Sequence, residues 1–161
     1  MTTTFAAPAA PPRSNEAVAI SAIEALDLEP IKFKLMHPEE GEGWTCEETE
    51  EVERWYRRFL ILHVKHPEKT IVPTRKIDDF WHYHILDTRK YADDCRQIFG
   101  RFLHHFPYFG MRGEEDAAAL KCAFGETRAL FEAEFGESPS RSGGCRSCGS
   151  SCASCNGGSC R

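Results

Sequence analysis

Apolar side chains recur at three- and four-residue spacing along most of the chain, which predicts helices rather than strands. A first helix is expected from about Glu16 to Leu26, with Val18, Ile20, Ile23 and Leu26 among its apolar positions. The stretch from Glu29 to Gly43 holds Pro30, Pro38 and two glycines, and reads as irregular. Thr45 followed three residues later by Glu48 is a capping box. The helix it opens sets Val52, Trp55, Tyr56, Phe59, Leu60 and His63 on one face and should stop before Pro67. Ile71 to Pro73 reads as a short extended connection. Thr74 is the expected N-cap of a third helix reaching Leu86. Asp87 opens a fourth, with Tyr91, Cys95, Ile98, Phe99 and Phe102 on one face, and Pro107 and Gly110 close that region. The last helix starts near Glu114, where three acidic residues complement the helix dipole. It should turn Leu120, Phe124, Phe131 and Phe135 inward and stop at Gly136. About five helices in roughly 120 residues predict a small all-α bundle.

Both ends break this pattern. Residues 1–14 are rich in Thr, Ala and Pro and predict a disordered lead-in. From residue 137 to the end the chain is nearly all Gly, Ser, Cys and Arg, too polar to offset the entropy of ordering. The expected organisation is therefore a lead-in over 1–14, a helical domain over 15–136 and a flexible Cys-rich tail over 137–161. The tail carries three Arg and one Glu, or +2, so the net charge of −5 leaves the remainder at −7.

That acidity argues against a nucleic-acid partner, which would need a basic face. No run of about 18 apolar residues exists, so no membrane span is expected. The first residues lack the basic and apolar regions of a secretory signal. A reducing cytoplasm is the expected compartment, where clustered cysteines bind metal or are modified more often than they form structural disulfides.

The densest candidate chemistry lies in residues 77–110, which hold four of the seven histidines. Asp78 and His82, at i,i+4 spacing, can form a charge-assisted pair. The sharpest hypothesis is a metal site from His82, His84 and His105, with Asp78 or Asp94 beside it, because imidazole is a common ligand for zinc, copper, iron and nickel. Helical geometry resists it. Residues i and i+2 point about 200° apart, so His82 and His84 should diverge. His105 would lie about 26 Å along an unbroken helix from Thr88. Only a break at Gly100 would fold it back. The competing reading is that these histidines pack in an aromatic core. His63 and His66 end a helix, where a cation favours the dipole, and Cys95 reads as a small buried hydrophobe. The acidic run from Glu47 to Glu53 reads as a solvated helix face. No nucleophile elbow, Walker loop, dinucleotide fingerprint or H-E-x-x-H is present, so catalysis is not the first expectation.

The segment Asp78, Trp81, His82, His84 and Leu86, then Tyr91, Asp94 and Cys95, then Phe99, Gly100, His105 and Pro107 resembles the glycine-rich domain-containing protein family, known from plants and also seen in bacteria. The resemblance covers roughly residues 45–110. It implies an appended low-complexity region, which the tail matches in position but not in its cysteines. Plant members are linked to growth and stress responses, some through RNA-binding modules. This chain has no RNA-recognition motif, so that role does not carry over.

The tail reads C-x2-C-x3-C-x2-C-x4-C, from Cys145, Cys148, Cys152, Cys155 and Cys160. Two C-x2-C pairs signal thiolate ligands for Zn(II) or Cu(I), although three intervening residues leave no room for a folded finger. The interleaved serines and glycines also resemble the core of a ribosomally made, post-translationally modified peptide, with the helical domain as its leader and modifying enzymes as partners. The third reading is an inert flexible tail. The expectation taken forward is transition-metal binding without defined catalysis, with an unidentified protein partner. A peptide precursor and a His-based metalloenzyme stand as alternatives.

Overall fold

The computed structural model describes residues 13–139, and they are all-helical. Six helices follow in order: α1 (Arg13–Glu24), α2 (Glu29–Met36), α3 (Cys46–Lys65), α4 (Arg75–Leu86), α5 (Thr88–Phe99) and α6 (Glu114–Phe135). Among the described residues no helix is long and apolar enough to cross a membrane.

The central element is α3, which packs against α1, α2, α4 and α6. Its start is the predicted cap: Thr45 Oγ1 accepts the Glu48 backbone N–H at 3.1 Å. Its apolar face is broader than the spacing indicated, burying Thr49, Ile61 and Leu62 as well as Val52, Trp55, Tyr56, Phe59 and Leu60. The acidic run is less free than a solvated face. Glu53 is half-buried between Arg57 and Lys32, and Glu48 pairs with Lys76. Arg57 also donates to the carbonyls of Ile23, Glu24 and Leu26, closing the C-terminal end of α1.

Three expectations about the fold need correction. The stretch beginning at Glu29 contains α2. Pro30 occupies the first turn, where its missing N–H costs nothing, and Ile31 and Leu35 fall one turn apart onto the core. Val18 points outward, because α1 buries Ala19, Ile23 and, just past its end, Leu26. Phe102 lies beyond α5, although its ring still meets Tyr91 edge-on at 5.1 Å. On α6, Phe131 is buried with its ring against Trp55, whereas Leu120 and Phe124 are half-buried. Gly136 ends that helix in the left-handed conformation at φ 73°.

Candidate metal centre and adjoining cleft

α4 is amphipathic, with Ile77, Phe80, Trp81 and His84 buried. Asp78 and His82 sit one turn apart on its outer side, as their i,i+4 spacing requires. The two-residue spacing sends His84 elsewhere.

His105 reaches the same spot by a chain reversal. α5 stops at Phe99, and Gly100 takes the left-handed conformation at φ 66°, with its N–H on the Arg96 carbonyl. Beyond it, one buried hydroxyl fixes the returning strand of chain. Tyr91 Oη donates to the Leu103 carbonyl at 2.6 Å and accepts the Trp81 indole N–H at 2.8 Å. Burial holds the Tyr91 phenol well above its ordinary pKa, so it keeps the proton it donates. The Trp81 ring then meets the His105 ring edge-on at 4.7 Å. Farther on, the Asp116 carboxylate accepts the N–H groups of Gly110 and Arg112, tying the segment to the first turn of α6. Gly110, at φ 88°, lies against Leu120, where a Cβ would collide at 2.4 Å.

The result is a convergence of three ligand-type atoms. His105 Nε2 lies 3.0 Å from His82 Nε2 and 3.0 Å from Asp78 Oδ1, while His82 Nε2 is 3.7 Å from Asp78 Oδ2. One ring nitrogen carries either one hydrogen or one lone pair, so it cannot serve both neighbours with well-aligned bonds. Donors bound to a single ion at about 2.0–2.2 Å stand roughly 2.9–3.5 Å apart in octahedral or tetrahedral geometry. The two separations from His105 fall within that range, and the His82–Asp78 separation lies just above it. His82 is 46% exposed and His105 17%, so the group has one solvent edge and one protein edge.

His84 stands outside this group, which alters the ligand set expected from the sequence. Its Nδ1 accepts from Tyr56 Oη at 2.8 Å and its Nε2 donates to Asp94 Oδ2 at 2.9 Å. Asp94 in turn holds Lys90 at 2.8 Å. Both ring nitrogens are occupied, and burial lowers the His84 pKa against the opposing pull of Asp94. Asp94 therefore supports His84 rather than the convergent group. Cys95 is buried beside Tyr91 and its thiol pKa is raised by burial, which suits a packed thiol. Cys145, Cys148, Cys152, Cys155 and Cys160 lie outside the described residues.

Asp78 and His105 also line a cleft of about 770 Å³ between the end of α3, the 69–73 connection, the 104–109 segment and α6. Its walls are largely apolar, with Trp81, Phe106, Leu120 and Phe124 among them. His63 lines it too, and the sequence reading of that residue as a charged helix cap fails. Its ring packs edge-on against Phe59 at 4.7 Å, and its Nε2 is buried with no hydrogen-bond partner among the described residues. Burial, with a smaller push from Arg101, lowers its pKa from 6.5 to about 4. The i,i+4 spacing of Phe59 and His63 was the available signal. His66 takes the capping position instead, with its Nε2 3.3 Å from Glu134.

The folded state therefore prefers neutral His63, while the unfolded chain binds its proton near pH 6.5. This contribution to stability is complete above pH 6.5 and is lost as pH falls toward 4. It amounts to at most about 3 kcal/mol. Urea unfolding at pH 7 and pH 4.5 should show a larger acid loss for the native chain than for His63→Phe. Equal losses would remove His63 as the cause.

Residues 21–128 match the profile of the family described as UCP032817-like. This chain belongs to that family. The UCP032817-like region spans Asp78, His82, His105, His63 and the lining of the cleft, but stops before the cysteine tail. No curated protein and no solved structure matches the chain.

Proposed function

We propose that the helical domain binds one divalent transition-metal ion through Asp78, His82 and His105. The observation that supports this most is the mutual approach of two Nε2 atoms and a carboxylate to about 3–4 Å. Two imidazoles and one carboxylate are a donor set for zinc or iron(II), with further coordination positions left open. A bound ion would supply a Lewis-acidic centre with room for water or a ligand. Trp81 and Tyr91 would orient His105, and the cleft beside Asp78 and His105 would exclude bulk water on that side. The role is metal binding in a helical domain, with a His-based metalloenzyme as the form it takes if the open positions accept a substrate.

The tail keeps its own proposal on sequence grounds: two C-x2-C pairs suited to Zn(II) or Cu(I). The W-H-x-H run likewise supports a proposed kinship with the glycine-rich domain-containing proteins. That kinship adds no chemistry to the site.

Zinc content after equilibrium dialysis separates the two metal sites. A full-length chain with all five tail cysteines changed to Ser is expected to retain one equivalent. The same chain with His82→Ala and His105→Ala should retain none. A Cys→Ser chain that holds no zinc would place all metal binding in the tail and overturn the proposal.

A further inference from the structure

We infer that the cleft beside the Asp78–His82–His105 group binds a small organic anion with a largely apolar body, held by a hydrogen bond from His63 at its buried end and by Lys69 and Lys121 at its mouth. This deepens the metal-site reading by naming the ligand class, but its evidence is separate.

The volume, about 770 Å³, lies within the range of cavities that enclose a small organic molecule. Apolar walls would take the body of such a molecule. A buried imidazole nitrogen without a partner is uncommon, since buried polar groups are nearly always satisfied. His63 Nε2 is such an atom among the described residues, just beneath the surface of a cleft that His63 helps to line. A ligand bearing one hydrogen-bonding group at its inner end would complete it once the His63 ring turns toward the cleft, a side-chain adjustment common on binding.

Charge at the mouth selects the sign of the ligand. Lys69, Arg112 and Lys121 line the cleft against a single acid, Asp78, on a chain whose formal net charge is −5. Arg112 is neutralised by Asp116 at 2.7 Å and lies over the Phe106 ring. Lys69 and Lys121 are exposed and have no ion-pair partner among the described residues. Two unpaired ammonium groups beside an apolar hollow favour an anionic head over a cationic one. An ion held by Asp78 and His105 would add to that preference.

A matched pair of fluorescent probes tests this. 8-Anilinonaphthalene-1-sulfonate has an apolar body, an N–H and an anionic group; N-phenyl-1-naphthylamine has the same body without the charge. Both are titrated into the full-length folded chain in the presence of EDTA, so that the result does not depend on metal. The sulfonate is expected to bind one to one, about tenfold tighter than the neutral probe. Lys69→Ala with Lys121→Ala should erase the preference. Leu120→Trp, which fills the cleft, should abolish binding, and His63→Phe should weaken it about fivefold. Equal affinity for the two probes, or sulfonate binding that survives Leu120→Trp, overturns the inference. Sulfonate binding as expected in a chain that takes up no zinc would defeat the metal proposal alone.

Discussion

Replacing Tyr91 with Phe is expected to destabilise the protein by about 2–6 kcal/mol and to weaken zinc binding, although Tyr91 is not among the three proposed ligands. The ring would keep its place, because Phe fills the same volume minus one oxygen. The loss comes from two buried groups left unpaired, the Trp81 indole N–H and the Leu103 carbonyl. Each costs about 1–3 kcal/mol when its partner is removed. Leu103 stands two residues before His105, and Trp81 packs on the His105 ring. Freeing both loosens the one proposed ligand that comes from outside α4. Urea unfolding gives the stability, and chelator competition gives the zinc affinity. A Tyr91→Phe chain within about 0.5 kcal/mol of the native one would show that the hydroxyl does not hold the reversal.

His105→Ala should lower zinc affinity by at least about 100-fold in a chain whose tail cysteines are Ser. Two remaining donors on one helix turn cannot enclose an ion, and loss of one of three protein ligands removes much of the binding energy. The fold should tolerate the change, since His105 lies at the edge of the core rather than within it. His84→Ala should show the reverse pattern. It would strand the Tyr56 hydroxyl, leave Asp94 only Lys90, cost the fold stability, and leave the proposed zinc ligands in place. Thermal unfolding alongside chelator competition separates the two. Equal zinc affinity for His105→Ala and the unaltered site would remove His105 from the ligand set.

The contrast between these two histidines shows what the sequence made legible. The helical period placed Asp78 and His82 together and His84 apart, because that relation is local to α4 and set by 3.6 residues per turn. The Thr45 cap and most of the buried face of α3 were equally local. His105 stood in the expected set only on the condition of a break at Gly100, and helical spacing alone argued against it. Its position depends on a left-handed glycine and on a hydroxyl twelve residues before Leu103, and no periodicity encodes such a contact. Short α2 was hidden by Pro30 and by having only two core residues, Ile31 and Leu35, to reveal its period. His63 was misread because its place at a helix end suggested a charge, while tertiary burial against Phe59 and the cleft decided otherwise. Local patterns thus placed Asp78 beside His82, and non-local packing brought His105 to them and formed the cleft.

The most direct measurement is X-ray absorption at the zinc edge of the full-length chain with its five tail cysteines changed to Ser, loaded with one equivalent of zinc. A first shell of nitrogen and oxygen at about 2.0–2.2 Å is expected, with the multiple scattering of two imidazoles that falls when His82 is changed to Ala. A sulfur shell at about 2.3 Å, or a spectrum unchanged by His82→Ala, would contradict it.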